Sequence, residues 1–272
     1  KSADKPVFRY ESFAVGSALV LTDLDGDGAE RFSALIRKYL DASGEDEMPP
    51  LQVVRGDEFG SIEECLKIID RDKPELICTY RGLHSDCWRW GHSLGSYVEV
   101  LTQTVNIPAL VFPHPGSAAA LSADEDDCSR VMAMTDHLAG DRRLVNAALF
   151  FTPASGILHL SNIEDEQVFE RYMTAIEKIP SVDSAEVREN LLFRILKEAR
   201  DYIQSCREVV AAQGIEVEII EAVELGMHVE DYRQLVAAGE IDLLVMNTRE
   251  VDQLAMHGLA YTLAVELSDI PL

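Results

Sequence analysis

The chain repeats itself, and the repeat restricts what it can fold into more than any other feature. Ser61 to Cys78 (SIEECLKIIDRDKPELIC) lies without a gap on His228 to Val245 (HVEDYRQLVAAGEIDLLV), at a constant offset of 167. Each block reads as an amphipathic helix, a short polar link, an acid (Glu75 or Asp242) and an apolar strand. Further on, Gly95 to Leu110 aligns with Gly258 to Leu272 at an offset of 163, both ending in Ile-Pro and a strand: Ile107-Pro108 and Ile270-Pro271. Earlier, Gly16 matches Gly156 at an offset of 140, as do Asp25 with Asp165 and Glu30-Arg31-Phe32 with Glu170-Arg171-Tyr172. Three blocks in one order indicate a duplication. At 272 residues, the chain has room for two domains of ordinary size.

The changes in offset locate the differences between the copies. Between 140 and 167, the second copy gains 27 residues, at a helix-forming stretch at about 181–213 with Leu191, Leu192, Ile195, Leu196 and Ile203 at helical spacing. Strands alternating with helices predict α/β architecture: two tandem doubly wound parallel sheets, Rossmann-like, with helices on both faces. The expected division is a first domain over 1–115, a linker over 116–128, and a second domain over 129–272 carrying the helical insertion. At an offset of 140, the counterpart of the second copy's first strand (130–135) falls before residue 1. The first copy is therefore expected to lack its opening strand and helix, Val7 to Phe13 is left without an assigned element, and the sequence is expected to continue at both ends.

Charge narrows the partners. Lys and Arg total 24 against 48 Asp and Glu, a formal charge of −24. Such a field repels phosphate backbones and anionic membrane surfaces, so nucleic acid is not an expected partner. The 24 basic residues include seven lysines; an acid-rich, lysine-poor surface suits either a salty cytoplasm or simple solubility. The five cysteines (Cys65, Cys78, Cys87, Cys128, Cys206) are scattered and form no C-x-x-C pair, which points to neither a disulfide framework nor a zinc site. No apolar run approaches the ~20 residues of a membrane helix, and the chain is expected to be cytoplasmic with no membrane insertion.

In the first copy, the strand Glu75-Leu-Ile-Cys-Thr is followed by Gly82-x2-Ser85-x9-Gly95-Ser96, a helix from Ser96 to Val105, and a strand led by Pro108. This order and spacing resemble the universal stress protein family, whose loop reads G-x2-G-x9-G-[ST]. Ser85 stands where that pattern has its second glycine, Gly82 sits about two residues further from the strand, and Trp88 and Trp90 add bulk. The second copy's Val131-Met-Ala-Met-Thr-Asp136 resembles the family's opening strand, whose terminal acid faces the nucleotide. Its later loop, Asn247-Thr-Arg-Glu250, lacks the glycines. The resemblance implies an internal pseudo-dimer that binds and regulates in a stress response rather than catalyses. It also implies an adenine nucleotide, ATP or AMP, held in the first copy by the amides near Gly82 and Ser85 and by the amide and hydroxyl of Gly95-Ser96. Asp136 would be a remnant of the second copy's site. A protein partner and a homo-oligomer are further expectations.

Other chemistry competes for the same residues. Asp23-Leu-Asp25-Gly-Asp27-Gly28 begins like an EF-hand calcium loop, but its twelfth position is Ala34; capping of a helix explains it as well. Arg81 to His92 gathers His84, Asp86, Cys87, Trp88, Trp90 and His92, which permits a Cys–His nucleophile or a ligand-facing loop. Two readings stand beside nucleotide-binding regulation: a protein-interaction module that binds no nucleotide, and a nucleotide-dependent hydrolase or transferase. No catalytic and no metal-ligating residue is assigned.

Overall fold

The computed structural model describes residues 7–41, 48–118, 128–135, 138–248 and 258–272. Two four-stranded parallel sheets follow one another along the chain. The first holds β1 (Ala18–Thr22), β2 (Leu51–Arg55), β3 (Leu76–Tyr80) and β4 (Ala109–Phe112), in the order β2-β1-β3-β4. Its helices are α1 (Gly26–Asp41), α2 (Ile62–Asp72) and α3 (Ser96–Thr104). The second holds β5 (Arg130–Met134), β6 (Ile157–Asp165), β7 (Glu218–Gly226) and β8 (Leu243–Met246), in the order β7-β6-β5-β8. Its helices are α4 (Arg142–Phe151), α5 (Glu166–Ile176), α6 (Ser184–Ala212), α7 (His228–Gly239) and α8 (Gly258–Glu266). The residues of β1 and β3 are all buried, as continuous apolar runs covered on both faces by helices must be. In α1, Ala29, Phe32, Ser33, Ile36 and Leu40 form the buried stripe.

The 167 offset holds down to backbone detail. α2–β3 and α7–β8 are equivalent units, and both helices end on a left-handed residue, Lys73 (φ 47°) and Glu240 (φ 49°), which stand 167 apart. The acids that follow do the same work. Glu75 Oε2 accepts the Gly16 amide at 2.6 Å, and Asp242 Oδ2 accepts the Ser129 amide at 2.9 Å.

The insertion appears as α6, a helix of 29 residues. The linker expected at 116–128 falls largely on residues outside the described ones.

One expectation needs correcting in its position. The first copy is indeed short of one strand and one helix relative to the second, but the missing unit is not the opening one. β1 pairs with β2 on one side and β3 on the other, as β5 pairs with β6 and β8. Gly16 and Ser129, whose amides the two equivalent acids accept, lie 113 apart. At that offset Ala18-Leu-Val-Leu-Thr-Asp23 falls on Val131-Met-Ala-Met-Thr-Asp136. β1 is therefore the opening strand, and the first sheet lacks a counterpart of the edge strand β7. The match at an offset of 140 arose because β1–α1 and β6–α5 are both a strand, an aspartate cap and a helix. Asp25 Oδ1 accepts the Gly28 amide at 2.7 Å, and Asp165 Oδ1 accepts those of Gln167 and Val168 at 2.8 and 3.0 Å. Aspartate caps are too common a device to fix a register.

The halves meet along a short antiparallel contact. Val111 of β4 and Leu272 exchange backbone hydrogen bonds at 2.8 and 2.9 Å, the reciprocal pairing of antiparallel strands. Leu244 donates to the Pro271 carbonyl at 3.0 Å, so the last residues bridge β8 to β4. Leu94, Val98 and Val111 from the first half close a small core with Ala264 from the second. The segment before β1 crosses the other way: Phe8 is buried against Tyr202 of α6, and Phe13 lies edge-on to Phe150 of α4.

Candidate functional site

The order β2-β1-β3-β4 reverses direction at β1, so the crevice outside the carboxyl ends of β1 and β3 is where an open sheet of this kind holds a ligand. β1 delivers Thr22 and Asp23 there, and β3 delivers Tyr80 and the loop from Arg81 to Ser96. The sequence reading named the loop but not Asp23 or Tyr80. The signal that finds Asp23 is the ALVLTD/VMAMTD match at an offset of 113, which makes Asp23 the counterpart of Asp136. Asp136 itself lies outside the described residues.

The loop folds into a tight knot. Gly82 (φ 77°), Gly91 (φ 60°) and Gly95 (φ 93°) take the left-handed backbone that side chains resist. Gly95 lies directly on Gly82: a Cβ added to Gly95 would stand 3.0 Å from the Gly82 Cα, 3.1 Å from its nitrogen and 3.2 Å from Cys87 Sγ. The Gly82 amide donates to the Leu94 carbonyl at 2.9 Å, joining the two ends of the loop. The Ser85 amide donates to the Gly82 carbonyl at 2.8 Å, and the Gly95 amide to Ser93 Oγ at 3.0 Å. Ser93 in turn donates to Glu99 Oε1 at 2.7 Å. Ser96 follows as the exposed first residue of α3. The expected phosphate-contacting residues Gly82, Ser85, Gly95 and Ser96 thus come together at one end of the sheet, with three of their amides engaged within the loop.

Asp23 sits beside this knot. Its carboxylate accepts the Tyr80 hydroxyl and, at 3.0 Å, the His84 amide; its own amide donates to Tyr80 Oη at 2.8 Å. Thr22 Oγ1 lies 3.0 Å from the same hydroxyl. Burial, reinforced by the neighbouring Asp23 carboxylate, raises the Tyr80 phenol well above its ordinary range, so Tyr80 remains a donor at neutral pH. The His84 ring packs edge-on against Phe59 and close to Tyr97.

Above the loop, Trp88 stacks on His114 with centroids 4.2 Å apart and planes 6° off parallel, and His114 meets Tyr80 edge-on. His114 is therefore a packing partner of the site loop. Desolvation lowers its pKa, against the opposing pull of Asp23 and Asp86. Trp90 points outward, 67% exposed. Cys87 Sγ has Ser85 Oγ at 3.1 Å and the Ser93 carbonyl as its partners, an arrangement without a general base. Asp25 serves as a helix cap, the role that competed with calcium binding.

The second copy is built differently at the same position. Asn247 Nδ2 donates to Asp141 Oδ2, and Asp141 Oδ1 caps α4 through the Leu144 amide at 3.1 Å. Thr248 Oγ1 donates to the Thr102 carbonyl of α3 at 3.2 Å, carrying the chain towards the other half rather than around an anion. Among the described residues, a largely apolar cleft of about 1190 Å³ lies between the halves, lined by Val98, Thr102, Met134, Leu244 and Leu263 among others. No helix among the described residues is long and apolar enough to cross a membrane.

No protein-family profile matches the sequence, and neither does any curated protein. Solved structures do resemble it. A universal stress protein from Archaeoglobus fulgidus is 14% identical over 94% of this chain and 94% of its own, with a TM-score of 0.49. A functionally unknown protein from Pseudomonas aeruginosa is 13% identical over 94% of this chain and 90% of its own, with a TM-score of 0.48. The chain is similar to universal stress proteins in the path of its fold, and the similarity is one of fold.

Proposed function

We propose that this chain is a regulatory binding protein of the universal stress type that takes an adenine nucleotide, ATP or AMP, in its first half. The observation that carries the reading is the meeting of Asp23 with the Gly82–Gly95 knot at the point where the strand order reverses. Glycines in contact let a phosphate approach the backbone, and the first turn of α3, starting at Ser96, offers amides and a positive dipole end. Asp23 supplies the carboxylate that a ribose hydroxyl or an adenine amino group would donate to, once its link to Tyr80 opens. Asp136 and the glycine-free Asn247 loop make the second half a non-binding partner, so one nucleotide per chain is expected. Catalysis has no candidate base beside Cys87, which supports a role in signalling to a protein partner in the cytoplasm.

A second reading has its own support. The Gly82, Ser85 and Gly95 amides already have acceptors inside the protein, which leaves an anion fewer donors and favours an interaction module without nucleotide. Calorimetric titration of ATP and AMP into wild type, Gly95→Asp and Asp23→Asn separates the readings. Binding by wild type that is abolished by Gly95→Asp and weakened by Asp23→Asn supports the nucleotide site. No heat with wild type favours the interaction module, and turnover of nucleotide at more than a trace rate points to an enzyme.

A further inference from the structure

The hairpin formed by α5 and the first half of α6 projects from the second sheet with an uncovered apolar surface. The second half of α6 packs down through Ala199, Tyr202, Ile203, Cys206 and Val210. From Thr174 to Glu198, by contrast, no residue is buried, although the stretch carries nine Ile, Val, Leu and Phe side chains. Leu191, Leu192, Ile195 and Leu196 are only partly covered along α6, Phe193 is 62% exposed, and Tyr172 on α5 is 57% exposed. An apolar surface of this kind on a helical pair marks a contact that another element is meant to cover. The hairpin is itself well held: Arg188 of α6 grips Glu170 of α5 with both guanidinium nitrogens, at 2.5 and 2.6 Å.

We propose that this hairpin is the face on which a second copy of the chain docks. Two observations select a second copy as the occupant. The first is charge. The chain carries −24, which drives copies apart, yet residues 168–197 hold five acidic and five basic side chains and are neutral. Alternating signs are self-complementary, as a two-fold interface requires, whereas a strongly charged foreign partner would find no field to follow. The second is shape. A two-helix hairpin open along one apolar side is half of a four-helix bundle, and its own copy, turned by the two-fold, supplies the other half. Unlike the strand contact between Val111 and Leu272, this surface uses the insertion found only in the second copy, and the proposal is independent of nucleotide binding.

Sedimentation velocity over a hundredfold range of protein concentration, at low and high sodium chloride, tests it. Wild type is expected to be a reversible dimer whose dissociation constant falls as salt screens the net charge. Tyr172→Glu with Phe193→Glu should raise that constant at least about tenfold, as removing central anchors of an interface does. Met227→Glu, at a similarly exposed apolar residue on another face, should leave it unchanged. Circular dichroism checks that each variant is folded. A wild type that is monomeric under all conditions overturns the proposal and leaves the hairpin to a different partner. A dimer indifferent to the hairpin substitutions, or one that weakens with salt, overturns it equally.

Discussion

The guanidinium of Arg81 donates to the carbonyl of Leu267 at 3.1 Å, across the boundary between the two halves of the chain. The same group reaches the Ala264 carbonyl at 3.2 Å and the Ile270 carbonyl at 3.0 Å, so one side chain gathers the loose carbonyls at the end of α8. Arg81 is 3% exposed; burial lowers its pKa to about 10, and the Asp269 charge works against that fall, so the side chain stays protonated near neutrality. Arg81 immediately precedes Gly82, which ties the start of the candidate site loop to the other half of the molecule. Its counterpart 167 residues on, Thr248, reaches back to Thr102 of α3. The contact between the halves is thus repeated in approximate two-fold fashion, with arginine on one side and threonine on the other.

Replacing Arg81 with methionine keeps most of the volume and strands three buried carbonyls. The expected cost is about 3 kcal/mol, typical of breaking a buried charged hydrogen-bond network. Both tryptophans lie in the first half's loop, so their fluorescence follows that half, while far-ultraviolet circular dichroism follows the whole. Wild-type urea transitions should coincide by the two probes. In Arg81→Met they should separate, with fluorescence changing at lower urea. Coincident transitions at an unshifted midpoint would show that Arg81 does not couple the halves.

Gly95→Ala meets two obstacles at once. The backbone is at φ 93°, and the new methyl would press on the Gly82 backbone at 3.0 Å, which cannot swing aside as a side chain could. Gly91 shares the left-handed backbone (φ 60°), yet a Cβ there meets nothing within 4 Å. Gly91→Ala should therefore cost about 1 kcal/mol and Gly95→Ala about 2–4 kcal/mol, measured by chemical denaturation. Under the proposed function, Gly95→Ala also loses ATP binding while Gly91→Ala retains it. Equal behaviour of the two variants would remove the Gly82–Gly95 contact from the argument.

His159 on β6 gives the fold a pH dependence with a definite sign. It is buried, its Nε2 has no hydrogen-bond partner among the described residues, and desolvation, aided by Arg130, lowers its pKa from 6.5. As pH falls through 6.5, the unfolded chain takes up a proton that the folded chain resists, so stability falls. His114 is shifted in the same direction and shares the effect. His159→Leu should accordingly lose less stability than wild type between pH 7.5 and 5.5, by urea midpoint, and be at least as stable at the lower value. A parallel loss in both proteins would assign the whole pH dependence to other groups.

What the sequence disclosed and what it withheld follow from the range of the forces involved. The α2–β3 and α7–β8 units were legible because helix period, acid and strand repeat within 18 residues at one offset. The same local signals misplaced β1, since Asp25 and Asp165 cap their helices alike while their strands occupy different places in their sheets. Only the pairing of β1 with β3, and the reach of Glu75 to Gly16 from 59 residues away, settles that question. The glycine loop was readable for a related reason, being a spacing pattern in one stretch of chain. Tyr80 was not: its hydroxyl matters because β1 brings Asp23 beside it, and no pattern within β3 announces a neighbour 57 residues distant. Arg81 looked like an ordinary loop cation until the helix end it caps, more than 180 residues on, was seen to lie over it.

The segment from Phe8 to Phe13 had no periodicity to read, and its role lies entirely in contacts with the second half. Phe8 is 1% exposed, its ring edge-on to Tyr202 and its amide bound to Ser205 Oγ at 3.0 Å. Asn146 of α4 holds the next residues as a neighbouring strand would, accepting the Glu11 amide and donating to the Arg9 carbonyl, each at 3.2 Å. Arg142 adds an exposed ion pair to Glu11, which contributes little by itself. The strap is therefore pinned chiefly by one aromatic ring, and Phe8→Ala should cost about 3 kcal/mol or more if the pocket cannot collapse. Because few other groups hold the segment, that loss should appear as local opening rather than as global unfolding. Trypsin reports it directly, since cleavage after Arg9 requires the strap to lift. Where opening and closing are fast, cleavage follows the open population, and Phe8→Ala should be cut there at least about tenfold faster than wild type while the urea midpoint moves much less. Cleavage at the wild-type rate would mean that the Asn146 bridge, not the ring, holds the strap, and Asn146→Leu would then become the variant that releases it.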